Sequence, residues 1–383
     1  MNDSKGKIIY MDNAASVRLK DEALTAMMPY FTDDFYNPGG AYSTAQEIKK
    51  AVAAAREDIA MTINAAPTEV FFTSGGTESD NQALRSAVAL RGTGHIIVSS
   101  FEHHAVLNTC KYLEGQGIQV SYVNPTSEGL ISVSDIKDRI REDTVLISVM
   151  YVNNELGTIQ PIREIAETAH DAGILFHTDA VAAMGHIPID VRELKPDLMS
   201  AGAHKFGGPK GIGFLYVREN LKLLPLIYGG SQERGRRAGT ENVPGIIGMA
   251  AALKVMNDDM DKNLARRREL DEYFVRRIEG ETGNRPLFQR TGRIPGHFSL
   301  TLPGVNAEEL VVRLGMKGIC ISTGAACSSS DDEVSHVLKA VGMKKDLLRS
   351  TIRISMNEDN TEEEIDSLLE AIDTLSYKIG EIR

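Results

Sequence analysis

Cysteine is scarce in this sequence. Cys110, Cys320 and Cys327 are the only three, and no two form a Cys-x-x-Cys pair. That leaves no disulfide framework and points to a reducing, cytoplasmic setting. No apolar run approaches the roughly 20 residues that cross a bilayer. Residues Met1 to Lys7 are polar and carry no secretory hydrophobic region, so no membrane role is expected. Positive charge is also short: 42 Lys+Arg stand against 53 Asp+Glu, a net charge of -11. Nucleic-acid binding is therefore disfavoured, because a phosphate backbone needs a basic face. No internal repeat, low-complexity segment or metal-ligand spacing is found. What remains is an ordinary globular composition, 42% hydrophobic and 25% charged, in 383 residues, enough for two domains.

Short apolar strands alternate with helical patterns up to about residue 220. Strands are predicted at Val70–Thr73, His95–Ser100, Gln119–Val123, Val145–Met150, Ile174–His177, Asp197–Ala201 and Gly213–Val217. Helices are predicted between them, for example at Thr44–Ile63 and Pro161–Ala172. Such alternation implies an α/β fold with a mostly parallel seven-stranded sheet covered on both faces. Near residue 255 the pattern changes to one long charged helix, Val255–Thr282. A smaller α+β unit follows, closing with a helix that opens on the capping box Thr361-Glu362-Glu363-Glu364. The expected division is 15–255 for a large domain, and 1–14 with 256–383 for a small one.

Polar residues collect where the predicted strands end, which is where open α/β sheets bind ligands. Ser74-Gly75-Gly76-Thr77-Glu78 follows the first of these strands and runs into a helix, a place for an anion. Glu102-His103-His104, Asn153-Asn154-Glu155, Asp179 and His204-Lys205 follow four others. Each alone has a plain reading as a turn, a cap or a surface group. Together they match what pyridoxal phosphate needs. Gly76 and Thr77 can cup a phosphate, and Asp179 can hold a pyridinium nitrogen. His103 can stack on the ring, Asn154 can bond the phenolate side, and Lys205 can form a Schiff base.

With these motifs in order, the chain resembles the cysteine desulfurases of the NifS/IscS type, in the class V aminotransferase group with the type I fold of pyridoxal-phosphate transferases. The likeness spans nearly the whole chain. It also rests on Tyr10-Met11-Asp12-Asn13-Ala14-Ala15, Arg237-Ala238-Gly239-Thr240, Ser322-Thr323-Gly324-Ala325-Ala326-Cys327-Ser328 and Arg353-Ile354-Ser355. The resemblance implies conversion of L-cysteine to L-alanine by a homodimer, with sulfur held on Cys327 as a persulfide. The sulfur then passes to an acceptor protein for iron–sulfur clusters or for tRNA or cofactor thiolation. It implies that Lys205 carries the cofactor and moves protons, with His103 assisting. Thr77, Gly202 and His204 would surround the phosphate, helped by Thr240 of the second subunit. Arg353, Asn154 and Asn37 would face the substrate. The small-residue surroundings of Cys327 suit a mobile loop with a usable thiol, whereas Cys110 and Cys320 read as core residues.

Three positions depart from the family pattern. Ala182 stands where the family has a Gln that donates to the cofactor, Gly202 where it has a phosphate-binding Ser, and Tyr42 where it has a His. Loss of the Gln removes one hydrogen bond, about 1 kcal/mol. Selenocysteine lyase, another class V aminotransferase activity and a partner-activated sulfur relay are the alternatives.

Overall fold

The computed structural model describes residues 7–281, 292–324 and 334–381. Eleven strands are present among them. They are β1 (Ile9–Tyr10), β2 (Val70–Thr73), β3 (His95–Ser99), β4 (Gln119–Val123), β5 (Thr144–Ser148), β6 (Leu175–Asp179), β7 (Leu198–Gly202), β8 (Gly213–Val217), β9 (His297–Thr301), β10 (Ile319–Cys320) and β11 (Thr351–Ser355). Seven form one sheet in the order β2-β8-β7-β6-β5-β3-β4. Strand β8 runs antiparallel to β2 and β7, and the remaining pairs are parallel. The type I α/β architecture is thus as expected, with three of the seven strands unchanged and the limits of the others moved by one or two residues.

The central strands are apolar on both faces because helices cover both. In β3, Ile97 packs into one core while Ile96 and Val98 pack into the other, as alternating side chains require. The first core takes Ile48, Val52 and Ile59 from the helix Ser43–Thr62, and Ile246, Met249 and Leu253 from Val243–Asp258. The second takes Ala83, Leu84 and Ala87 from Gly76–Ala89, and Val106 and Cys110 from His104–Glu114.

A third core lies apart from the sheet, built on the antiparallel pair β9–β11. Phe274 of the helix Met260–Glu281 meets Phe298 there at 4.3 Å between ring centres. Met11 belongs to this core, and β1 pairs in parallel with β10. The long helix expected at Val255–Thr282 is instead two. Val243–Asp258 ends at Asp259, whose carbonyl accepts from Asn263 N–H at 2.8 Å to begin Met260–Glu281. Asp disfavours a helix interior because its carboxylate competes for nearby backbone donors. Val255 therefore sits inside a helix of the large sheet's core rather than at a junction. The expected capping box closes as read: Thr361 Oγ1 accepts from Glu364 N–H at 3.3 Å, and Glu364 Oε2 accepts from Thr361 N–H at 3.4 Å.

Candidate active site

Loops at one edge of the sheet enclose a cavity of about 380 Å³. Strands β7 and β8 are consecutive and antiparallel, so the link between them is short, and Lys205 lies in it on a single turn of 3-10 helix, Ala203–Lys205. Its Nζ points into the cavity and donates to the carbonyls of Ala14 at 2.5 Å and Ala15 at 3.0 Å. The N-terminal segment runs alongside, with Val17 N–H on His204 O at 2.9 Å and Lys20 N–H on Gly207 O at 2.9 Å. An amine held by backbone carbonyls in a closed pocket is positioned before any ligand arrives.

Asp179 ends β6 on the cavity floor, where its Oδ1 accepts from Val181 N–H at 2.8 Å. Burial pushes this carboxyl up to about 6, against the Val181 bond and the Lys205 charge, which both favour the carboxylate. A buried anion in that state is best relieved by a bound cation. His103 caps the helix His104–Glu114, its Nδ1 accepting from Ala105 N–H at 3.1 Å. That bond puts the ring proton on Nε2. Burial, then the Lys205 charge, lowers His103 to about 4, so it is neutral at physiological pH. With Nδ1 engaged and Nε2 protonated it has no free lone pair for base chemistry, and it lines the cavity as a neutral ring. The geometry favours stacking over the proton-transfer part expected of it.

The anion end lies at the helix Gly76–Ala89, whose N-cap Gly75 provides no side-chain cap. Its first-turn N–H groups thus have no helical acceptors. Gly76 is required there, since a Cβ would lie 2.4 Å from Val181 Cγ2. Thr77 and His204 line the same end, and His204 is lowered to about 4 by burial first and then by Lys205 and Lys210. Gly202 does not line the cavity, but a Cβ on it would sit 3.4 Å from Gly76 N, beside the anion end. Ala182 lines the cavity, and Tyr42 is exposed.

The opposite wall comes from the region of the third core. Arg353 on β11 is buried, donating from Nη2 to Asp12 Oδ1 at 2.7 Å and from Nη1 to Asn154 O at 3.0 Å. Its Nε is buried with no hydrogen-bond partner among the described residues. Arg353 lines the cavity, and a guanidinium there suits an incoming carboxylate. Gly324, Val334, Ser335 and His336 complete the rim, and Ser335 Oγ donates to buried Glu155 Oε2 at 2.5 Å.

Of the expected residues, the fold brings together Gly76, Thr77, His103, Asn154, Asp179, His204, Lys205 and Arg353. Three do not join them: Gly202 lies beside the Gly76 amide but outside the lining, Asn37 is exposed with its Oδ1 bound to Gly39 N–H at 2.8 Å, and Thr240 is exposed and outside its own chain's cavity. Cys327 lies outside the described residues, although Gly324 and Val334 on either side of it both line the rim. Sequence reasoning missed Asp80 and His336. Asp80 sits one helical turn beyond Gly76 and lines the floor, a spacing that could have revealed it. His336 stacks on His104 at 4.6 Å and donates from Nε2 to Glu102 O at 2.8 Å, with no local signal.

These residues fit pyridoxal phosphate. An uncapped helix start can take a dianion, a buried carboxylate can take a ring cation, a neutral imidazole face can stack, and an amine is within the same cavity. One consequence concerns pH. Uptake of pyridoxal phosphate by the cofactor-free protein should weaken as pH falls from about 7.5 to about 5, because Asp179 is protonated below about 6. Visible absorption of the bound cofactor measures this. Asp179→Asn should bind weakly with a flattened profile, and equal uptake by the unmodified chain at both pH values would refute the role of Asp179.

Comparison with known proteins gives the same picture. The family described as "Aminotransferase class-V" matches residues 9–368. A protein named cysteine desulfurase IscS from Methanosarcina thermophila is 44% identical over 98% of this chain and 94% of its own length. Another of that name from Clostridium botulinum is 43% identical over 96% and 94%. Among solved structures, a NifS-like protein superposes with a TM-score of 0.90 at 34% identity, covering 97% of this chain and all of its own. A structure described as SspA in complex with cysteine gives 0.81 at 37% identity, over 92% and 100%.

Proposed function

The chain belongs to the class-V aminotransferase family, and we propose that it is a pyridoxal-phosphate-dependent cysteine desulfurase that forms L-alanine and a persulfide on Cys327. The observation that carries this reading is the convergence of the Lys205 amine, the Asp179 carboxyl and the Arg353 guanidinium on one cavity. When bound, pyridoxal phosphate supplies an electron sink that makes a Cα–H bond of an amino acid breakable.

The chain's own groups do the rest. Asp179 would keep a positive charge at the ring nitrogen, and the neutral His103 ring would stack on it. Thr77, His204 and the amides after Gly75 take the phosphate. Arg353 binds the substrate carboxylate, and Lys205 moves the proton at Cα. The thiolate of Cys327 attacks the substrate sulfur; one C–S bond breaks and one S–S bond forms. The thiol proton and the electrons of the broken bond end in the alanine methyl group, so no outside reductant is needed. Cysteine plus protein thiol gives alanine plus protein persulfide, whose outer sulfur is ready for an acceptor protein such as an iron–sulfur scaffold or a thiolation partner.

A homodimer belongs to this reading. Thr240 is exposed and away from its own cavity, so it meets a phosphate only in that of a second copy. A cytoplasmic setting accords with a working thiol.

The test is a visible spectrum with and without L-cysteine, with alanine and sulfide assayed together. A band near roughly 390–430 nm that changes on adding cysteine, with alanine formed, is expected. A band without alanine formation would sink the desulfurase assignment. Arg353→Lys should raise KM for cysteine about 10- to 100-fold with a smaller change in kcat, since a planar fork is exchanged for a point charge. An unchanged KM would remove Arg353 from the substrate site.

A further inference from the structure

Outside the lining of the main cavity, two side chains connect to the Lys205 backbone in series: half-buried His186 bonds it directly, and buried Arg267 bonds His186. His186 donates from Nε2 to the Lys205 carbonyl at 2.8 Å. Its other nitrogen, Nδ1, accepts from Arg267 Nη1 at 3.0 Å, and Arg267 Nη2 donates to the His186 carbonyl at 3.1 Å. Arg267 is 2% exposed and stands on the helix Met260–Glu281, whose Leu270 and Phe274 build the third core. It also bonds Asn263 O from Nε at 3.3 Å and lies 3.9 Å from Glu358 Oε2. Glu358 in turn pairs with Lys20 at 3.0 Å, and the Lys20 N–H holds Gly207 O.

A second feature brings the two segments together. Gly185, just before His186, has φ of 76°, and a Cβ there would meet Phe206 Cβ at 2.5 Å. Phe206 directly follows Lys205. The approach of 185–186 to 205–206 is therefore closer than any side chain at 185 permits.

We propose that His186 and Arg267 form a hydrogen-bonded strut that positions Lys205 from its backbone side and ties it to the helix supporting the third core. This rests on the reading of Lys205 as the cofactor amine. The chemistry is specific. Only neutral imidazole can accept at Nδ1 and donate at Nε2 at once. Arginine, which only donates, fixes which nitrogen accepts. The groups facing His186 are Arg267, Glu358 and Lys205, with His297 of β9 near enough to sense it; burial and the Arg267 charge hold it neutral, at about 4. The strut gives the 3-10 turn at Lys205 a fixed carbonyl, so the side chain leaves a fixed Cα. His186 and Arg267 are positioning residues, since neither lines the main cavity.

The test compares His186→Leu, His186→Gln and the unmodified holoenzyme. Gln can donate to the Lys205 carbonyl and accept from Arg267; Leu can do neither. His186→Leu should keep bound cofactor and KM within about twofold while kcat falls about tenfold or more, as small misplacement of a reacting group does. The pH midpoint of the visible cofactor band should also move by about half a unit or more, a readout that lost packing would leave in place. His186→Gln should return kcat to within about threefold and restore the midpoint. If Leu does not fold, His186→Asn, too short to span both partners, replaces it with the same expected split from Gln.

Variants matching the unmodified enzyme in kcat and midpoint would overturn the strut. So would equal losses in Gln and in the non-bonding variant. An unmodified protein with no visible band would overturn the underlying reading of Lys205, and the strut with it.

Discussion

Lys205→Ala is expected to abolish both the visible cofactor band and alanine formation from cysteine, with turnover down on the order of 10⁴-fold. The amine is held at the cavity by backbone carbonyls, whereas Lys339, another lysine lining it, stands on the helix His336–Ala340 rather than at a strand end. His103 and His204 are both neutral with their pKa values lowered to about 4, and Arg353 is committed to Asp12 and Asn154 O. Alanine leaves the half-buried carbonyls of Ala14 and Ala15 without this donor, at about 0.5–1.5 kcal/mol for each lost hydrogen bond. Lys205→Arg separates the two effects. It keeps a positive donor for both carbonyls but has no amine that can be deprotonated. Loss of the band in both variants, with melting restored in Arg, is the expected result. A cofactor band with normal turnover in Lys205→Ala would remove Lys205 from the chemistry.

Cys327→Ser is expected to lower alanine production at least about 100-fold while leaving the cofactor band in place, because a hydroxyl is not ionised near neutral pH and a thiol partly is. Only Ala325 and Ala326 separate Cys327 from Gly324 on the cavity rim, three steps of chain that span at most about 11 Å. Neither of the other two cysteines lines the cavity. Cys110 is buried in the helix His104–Glu114 and its thiol is pushed up to about 12 by burial. Cys320 belongs to β10, paired with β1. Transfer of labelled sulfur from cysteine to the protein should disappear in Cys327→Ser and persist in Cys110→Ser. Undiminished labelling of Cys327→Ser would refute the nucleophile assignment.

The strand ends were legible because sheet chemistry is local in sequence. A short apolar run followed by Gly-Gly-Thr, Asp or His-Lys states both the strand and the group it presents. The break at Asp259 left only the polar run Asn257-Asp258-Asp259 as a local signal, and the helical patterns on either side read as one until the folded backbone separated them. The part played by His103 also needed the structure. Sequence offers a histidine, but the Ala105 N–H on its Nδ1 decides which nitrogen carries the proton.

By itself the sequence determined the alternation that makes a parallel sheet, the glycine that opens a helix N-terminus, and the lysine, aspartate and cysteine that the chemistry needs. Tertiary structure alone decided what those groups meet. Arg353 reaches Asp12 across 341 residues, and Arg267 reaches His186 across 81. Asp179 acquires its raised pKa only when its strand is enclosed. Local spacing encodes which atoms a turn or strand end presents. Burial and long-range hydrogen bonds encode their charge, tautomer and aim, and these exist only once distant segments have packed.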